Sequence, residues 1–198
     1  MTGNEVAKIA REFYAKTTCY LKGFWGQKPT KTEFDRVAKL YPDNSAKYGN
    51  QKEGHYVNTD CYPFDCVNFV KSITSGARPD NRITYTQLKN GPLGDCSTEK
   101  LYNKLLYDCV TDGEDVVAGM AVSSTKHAGI VLGVNCWIDA NFTGSNKQNG
   151  LAIHYSDPVA LGYKVGKMKG ITYNDKPETD DVQDFLQFLY NQWKGSKK

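Results

Sequence analysis

The stretch that decides the fold reads Thr59-Asp60-Cys61-Tyr62-Pro63-Phe64-Asp65-Cys66-Val67-Asn68-Phe69-Val70-Lys71-Ser72-Ile73. The residues up to Pro63 predict a loop, and Asp65 is a residue type that caps the N-terminus of helices. Apolar side chains then recur at helical spacing, at Val67, Val70 and Ile73. The stretch therefore predicts a loop followed by a helix, with Cys66 in the first turn of that helix.

The predicted position of Cys66 makes this residue a candidate nucleophile. The positive end of a helix dipole favours the thiolate over the thiol, and the thiolate is the nucleophilic form. The neighbouring carboxylate of Asp65 opposes this effect, because it disfavours a second negative charge nearby. The alternative is a structural cysteine buried at a loop-to-helix corner, since cysteine is among the most buried residue types.

Length and composition indicate one globular domain over residues 1–198. Hydrophobic residues make up 39% of the chain and charged residues 24%, which is typical of folded rather than disordered proteins. The net charge of +3 is too small to favour nucleic acid as a partner, but it suits an anionic polymer such as a cell wall. We expect no transmembrane segment and no signal peptide, because no apolar run in the sequence is long enough for either.

Six cysteines are spread along the chain, at positions 19, 61, 66, 96, 109 and 136. An even number invites a disulfide interpretation, but a chain of this length without a secretory signal favours reduced core residues for most of them. The sequence has no CxxC pair and only three histidines. We therefore expect no structural zinc site.

Helical patterns dominate the first half of the chain. Residues 4–16 place their apolar side chains on one helical face, and Thr30-Lys31-Thr32-Glu33 is a capping-box sequence that opens another helix. Residues 43–60 predict a polar loop, and residues 77–96 predict a second loop because they hold several Pro and Gly turn signals. A further helix is predicted over residues 97–110, with Leu101, Leu105 and Cys109 on one face.

Alternating patterns replace the helical ones after residue 112. The predicted strands of an antiparallel meander cover residues 116–117, 119–123, 126–134, 136–142, 151–155 and 163–173. The tail, 177–198, predicts an amphipathic C-terminal helix. Helices first and strands last is the order of an α+β protein, and we expect the Cys66 helix to pack on the sheet.

A thiol nucleophile needs a base, and histidine is the usual one. His127 begins the run His127-Ala128-Gly129-Ile130-Val131-Leu132-Gly133, in which two glycines share the face of the histidine. We expect these glycines to make room for the element that carries the nucleophile. His154, in a weaker strand, is the second choice, and His55 has the pattern of a solvated loop residue. The alternative for His127 is a solvated or capped strand end.

The strand after His127 supplies candidates for the residue that orients the base. Asp139 and Asn141 are two residues apart and therefore share one face of the predicted strand. Either side chain can accept a hydrogen bond from the second ring nitrogen of His127. The alternative is ordinary polarity near a hairpin.

Together these motifs carry a family resemblance. Asp65-Cys66-Val67-Asn68-Phe69-Val70 and the His127 strand resemble the NlpC family of cell-wall peptidases and the related CHAP amidases, which have papain-like folds. Asp139 stands twelve residues after His127, where the superfamily has its third polar residue. Asp139 with Asn141 also matches the acidic residue and asparagine of CHAP members.

The resemblance covers about residues 7–173, and Tyr20 falls within it. The turn Tyr20-x-x-Gly23 is similar to the family segment whose tyrosine lies near the oxyanion site. One departure follows the nucleophile, where the peptidase branch usually has Ser-Gly and this chain has Val67-Asn68. This departure brings the sequence nearer to the CHAP branch.

The resemblance implies a peptidoglycan hydrolase of the cysteine peptidase type that needs no metal or cofactor. Cys66 would attack an amide carbonyl, and His127 would act first as base and then as acid. Asp139, helped by Asn141, would orient the imidazole. Asp65 would position the amine of a stem peptide if it faced the cleft instead of capping the helix.

Three alternatives stay open at this point. The first is an N-acetylmuramoyl-L-alanine amidase of the CHAP type, and the second is a transglutaminase-like acyltransferase with the same Cys, His, Asp order. The third is a non-catalytic wall-binding module. A chain made in the cytoplasm without an export signal would act at the wall after non-classical release, as phage lysins and antibacterial effectors do. Its holin-type or immunity partner would not be visible in the sequence.

Overall fold

The computed structural model describes residues 1–42, 56–142 and 149–173, together with the single residue Gln187. The helices are α1 (Gly3–Tyr14), α2 (Lys31–Leu40), α3 (Cys66–Thr74), α4 (Tyr85–Asn90) and α5 (Thr98–Lys100), and α5 continues into a π-helical turn at Leu101–Leu105. The strands are β1 (Thr18–Tyr20), β2 (Tyr62–Phe64), β3 (Leu106–Val110), β4 (Ala121–Ser123), β5 (Ala128–Gly133), β6 (Cys136–Phe142), β7 (Asn149–His154) and β8 (Lys164–Met168). The α+β prediction is confirmed.

The described strands form two sheets. β1 and β2 make a small parallel pair, with Cys19 opposite Pro63. The larger sheet is antiparallel and has the order β3-β8-β4-β5-β6-β7. The strands β4 to β7 form the predicted meander. β8 instead crosses back to pair with β4, and β3 completes that edge.

Apolar side chains bury both faces of the larger sheet. The main core lies between the N-terminal helices and one face, and it includes Val6, Phe13, Phe69, Val70, Ile73, Ala128, Ile130 and Ile138. A second cluster covers the opposite face, with Val122, Val131, Trp137 and Val165. Because each fully buried side chain of this size contributes about 1.5–3 kcal/mol, the packing of α3 against β5 is held firmly. The expected packing of the Cys66 helix on the sheet is confirmed.

Capping residues account for where the helices begin. Thr30 Oγ1 accepts a hydrogen bond from the Glu33 N–H at the start of α2, as its sequence predicts. The capping box is only half formed, because the Glu33 side chain does not bond back to the Thr30 N–H. Glu33 Oε2 instead accepts from Gln27 Nε2 and Arg36 Nε. Helix α2 therefore has the expected N-cap, while the glutamate ties the helix to the preceding segment.

The prediction that residues 77–96 form a loop is wrong where α4 occurs. Thr84 Oγ1 accepts from the Gln87 N–H at 3.3 Å, and Gln87 Oε1 accepts from the Thr84 N–H at 2.8 Å. These two bonds form a capping box. The signal is present in the sequence, but the Pro and Gly residues around it favour a loop. Burial of Leu88 in the main core stabilises this short helix.

The prediction of one helix over residues 97–110 is wrong beyond Leu105. The backbone becomes extended at Leu106, and β3 pairs with β8 at the sheet edge. Leu101 is buried whereas Cys109 is exposed, so the residues that suggested one apolar helical face do not share a buried side. Pairing with a strand distant in sequence outweighs the local helical pattern.

The remaining predictions differ less. No strand forms at residues 116–117, which follow a 3₁₀ turn at Gly113–Asp115. The strand expected over residues 163–173 is shorter and corresponds to β8. Most of the predicted loop at 43–60, with His55, lies outside the described residues, as does the predicted C-terminal helix apart from Gln187. None of the described helices has the length and apolarity that crossing a bilayer requires.

Candidate active site

Cys66 is the first residue of α3, as predicted, and it lines a cleft between the N-terminal segments and the sheet. Its side chain is largely covered, with 7% of the residue exposed. The cleft has a volume of about 770 Å³, which is within the usual range for ligand sites. The predicted residues Tyr20, Asp65, His127 and Asn141 line the same cleft.

Asp65 caps α3 and also holds the segment that follows β1. Its Oδ1 accepts from the Asn68 N–H at 2.7 Å. Its Oδ2 accepts from the Gly23 N–H at 2.7 Å and from Asn68 Nδ2 at 2.9 Å. Burial raises the pKa of Asp65, and the hydrogen bonds from Asn68 and Gly23 partly offset that effect. Both carboxylate oxygens thus accept hydrogen bonds within the protein, which supports the capping role of Asp65. Neither oxygen is left for the amine of a substrate.

We expect Asp65→Ala to lower the free energy of unfolding by about 2–4 kcal/mol, because it removes an N-cap and leaves the buried Gly23 N–H without its acceptor. Thr84→Ala is the matched control, since it removes the cap of α4 at an exposed position, where about 1 kcal/mol is expected. Urea unfolding followed by circular dichroism measures both. Equal losses in the two variants would contradict a structural role for Asp65 beyond capping.

His127 lies immediately before β5, between Cys66 and Asp139. Its Nε2 is 2.5 Å from Asp139 Oδ2, and its ring is near enough to Cys66 for that side chain to raise the pKa of His127. Because Nε2 faces the carboxylate, Nδ1 is the ring nitrogen left for the thiol. The His127 N–H donates to Ser124 Oγ at 3.1 Å, which fixes the backbone at the strand start. The structure therefore brings the predicted nucleophile, base and orienting residue together.

The electrostatics of this trio favour a charged imidazole. Burial lowers the pKa of His127, but hydrogen bonds to Asp139 and Cys66, with the charges of those groups, outweigh it and raise the pKa to about 10. Burial likewise raises the pKa of Asp139, and hydrogen bonding to His127 and the contact with His154 more than offset it, so that the pKa is lowered. At neutral pH a positively charged imidazolium therefore lies beside Cys66.

His154, the second candidate base, contacts the same carboxylate from the other side. Its Nε2 is 3.1 Å from Asp139 Oδ1, and its ring stacks on Trp137 with centroids 4.1 Å apart. The two polar atoms are poorly aligned, so neither has a hydrogen bond within the part of the chain that the structure describes. The structure thus places His154 against Asp139, while His127 is the histidine beside Cys66.

The roles of the two candidates on β6 now separate. Asp139, 1% exposed, is the residue bonded to His127. Asn141 is half-buried and lines the cleft. Tyr20, at the end of β1, lines the cleft as well. Asp139 is therefore the candidate that contacts His127, whereas Asn141 and Tyr20 line the cleft.

The expectation that the two glycines of β5 make room for α3 is wrong. Helix α3 packs on the opposite face, which carries Ala128 and Ile130. A side chain at Gly129 would instead meet the neighbouring strand, with its Cβ 3.1 Å from Trp137 Cε3 and 3.3 Å from Asp139 Cβ. The close approach at Gly129 is therefore to β6, which carries Asp139, whereas a Cβ at Gly133 would meet nothing within 4 Å.

One wall of the cleft consists of residues that the sequence analysis missed. The Arg36 guanidinium lies over the ring of Trp25 at 4.9 Å and that of Tyr85 at 5.9 Å. Arg36 Nε donates to Glu33 Oε2 at 2.8 Å, which holds the guanidinium in place. These side chains come from three separate segments, so only the folded chain brings them together. Their aromatic and cationic chemistry gives the cleft an extended binding wall.

Comparisons with family models, curated proteins and solved structures found no match to this chain. The resemblance to NlpC and CHAP enzymes therefore rests on the motifs around Cys66 and His127 alone. In residues 1–42, 56–142 and 149–173, no group of three or more His, Cys, Asp and Glu side chains is arranged as a set of metal ligands.

Proposed function

We propose that the chain is a papain-like thiol hydrolase of the NlpC and CHAP type, which cleaves an amide bond in the stem peptide of peptidoglycan. The observation that carries the proposal is the position of His127, which lines the same cleft as Cys66 and lies 2.5 Å from the buried Asp139. A thiol, a base and a buried carboxylate in this order make up a nucleophilic site.

In the first half of the reaction, the Cys66 thiol proton resides on His127 and the sulfur attacks the amide carbonyl carbon. The negative charge that develops on the carbonyl oxygen meets the Cys66 backbone N–H at the start of α3, with Tyr20 nearby. One such donor contributes about 3 kcal/mol to the transition state. His127 then gives its proton to the leaving amine, the C–N bond breaks, and a thioester remains on Cys66.

In the second half, water replaces the amine. His127, now neutral, removes a proton from the water as its oxygen attacks the thioester carbonyl. The C–S bond breaks, the carboxylic acid leaves, and the proton on His127 restores the pair with Cys66. Asp139 stays ionised throughout, because its task is to hold the imidazole and stabilise its positive charge.

The cleft chemistry favours a peptide with free carboxylates as the substrate. Cationic side chains outnumber acidic ones along the cleft lining. The acidic residues are Asp65 and Asp95, and the cationic residues are Lys22, Arg36, Lys71 and Lys126. Trp25 and Tyr85 offer apolar faces next to Arg36. Stem peptides carry carboxylates along an extended backbone, so a cleft of this charge suits them.

Digestion of purified sacculi tests the proposal. We expect wild-type protein to release short peptides with new amino termini, identified by mass spectrometry, and Cys66→Ser to release none. Intact stem peptides freed from muramic acid would instead assign the enzyme to the amidase class, with the same nucleophile and base. Products joined to an added amine would indicate an acyltransferase. Binding to sacculi without any soluble product would leave a wall-binding module and contradict the proposal.

A further inference from the structure

Cys19 and Cys61 bring their sulfur atoms together in a part of the molecule that the proposed chemistry does not use. The two Sγ atoms are 2.8 Å apart. This distance is shorter than the sum of their van der Waals radii, although it is longer than a disulfide bond of about 2.05 Å. The residues are 0% and 2% exposed. They belong to a separate apolar cluster with Leu21, Phe24, Phe34 and Val37.

The backbone on both sides of this pair is fixed. Cys19 is the central residue of β1, and Cys61 directly precedes β2, its parallel partner. The Tyr62 N–H donates to the Thr17 carbonyl at 2.9 Å. Arg82 Nη1 donates to the Cys61 carbonyl at 3.1 Å, and its guanidinium lies 3.8 Å from the centroid of the Tyr62 ring. To form a disulfide, the two sulfur atoms therefore need to move by less than the distance between the paired strands β1 and β2.

We propose that Cys19 and Cys61 form a disulfide when the protein encounters a small-molecule disulfide such as glutathione disulfide. One cysteine thiolate attacks the oxidant and releases one glutathione. The other cysteine then attacks the mixed disulfide and releases the second glutathione. The two cysteines together lose two electrons and two protons, and the two glutathione molecules gain these electrons and protons as their thiols form. This inference rests on the geometry of β1 and β2 and is independent of the proposed function.

Because the sulfurs are buried, the exchange takes place during folding or local opening of the β1–β2 region. The cross-link closes a segment of 42 residues that contains α2. Closing a segment of this length restricts the unfolded chain and raises the melting temperature by about 10 °C. It also joins the two strands that lead to Tyr20 and to Asp65, so it braces the floor of the cleft without using Cys66. In the structure both cysteines are free and buried, as expected for reduced core residues, and the proposal concerns their oxidised form.

The test compares full-length protein refolded with reduced glutathione and with a mixture of reduced and oxidised glutathione. After denaturation and alkylation, we expect the oxidised sample to have two fewer alkylated thiols, a mass lower by two hydrogen atoms before alkylation, and one cross-linked peptide joining Cys19 to Cys61. Its melting temperature should exceed that of the reduced sample by about 10 °C. Alkylation of all six cysteines, or a cross-link that maps to another pair, would overturn the inference.

Variants separate the cross-link from packing. Cys19→Ala should melt at the same temperature in both glutathione buffers. Cys136→Ala is the matched control, because Cys136 is also buried, at 4% exposure, in the main core. It should melt lower than wild type in both buffers yet keep the difference between them. If Cys19→Ala does not fold, the thiol count and peptide map of the wild-type protein still decide the matter.

Discussion

Cys66→Ser is expected to abolish release of soluble fragments from sacculi, with a loss of at least about 10⁴-fold in kcat. The serine hydroxyl is far less acidic than a thiol, so the imidazolium of His127 cannot maintain it as an anion. Cys66 is the first residue of α3 and its thiol packs little of the core, so the fold should remain. We expect the melting temperature to stay within about 3 °C of wild type.

Cys96→Ser is the matched control for this variant, because Cys96 lines the same cleft and is buried to a similar degree, at 6% exposure against 7%. Its activity should stay within a few-fold of wild type. Single Ser variants at Cys109 and Cys136 should also retain the chemistry. Activity loss that follows iodoacetamide labelling of Cys61 ahead of Cys66 would reverse the assignment of the nucleophile.

His127→Ala is expected to lower kcat by about 10²–10⁴-fold, the usual contribution of a positioned acid–base group. KM should change much less, since the imidazole acts in proton transfer and contributes little to substrate binding. The loss also removes the positive charge beside Cys66. Steady-state kinetics on a soluble stem peptide would measure both constants.

His154→Ala is the control for His127→Ala because both imidazoles contact Asp139. His154 is not the histidine beside Cys66, so we expect a loss of about tenfold or less, as for a neighbour that only supports the orienting residue. His55→Ala should change little. Full activity in His127→Ala, or an equal loss in His154→Ala, would contradict the trio of Cys66, His127 and Asp139.

Local signals in the sequence predict the two elements that carry Cys66 and follow His127. The Asp65 cap and the apolar spacing after Cys66 predict the start of α3, because capping and amphipathicity act within a few residues. The run from His127 predicts β5 in the same way. Asp139 and Asn141 are both candidates from the sequence, and only the structure separates them, because a two-residue spacing gives a shared face and not a distance.

Other features depend on partners far along the chain. β3 was predicted as helix because Leu101 and Leu105 have helical spacing, whereas pairing with β8 decides the conformation from Leu106 onward. The wall of Arg36, Trp25 and Tyr85 joins three segments. The close approach of two cysteines 42 residues apart requires β1 to pair with β2. Patterns within one segment do not contain these contacts.

The central claim is that His127, held by Asp139, acts together with Cys66, so that Cys66 reacts as a nucleophile at neutral pH. The pKa of His127 is raised from 6.5 to about 10, so its positive charge is present at neutral pH and is lost as the pH rises through that value. The same shift adds to folding stability, in full below pH 6.5 and no longer above about pH 10. Alkylation of Cys66 reports the effect of His127 on Cys66 without any assumption about the substrate.

The most direct test is therefore the rate of iodoacetamide alkylation of Cys66 between pH 6 and pH 8, followed by peptide mass spectrometry in wild type and His127→Ala. We expect the wild-type rate to change little over this range, because the imidazolium beside Cys66 stays charged throughout it. In His127→Ala the rate should fall by about tenfold per pH unit toward pH 6, as for a thiol without a cationic partner. Identical, steeply pH-dependent rates in the two proteins would contradict the account.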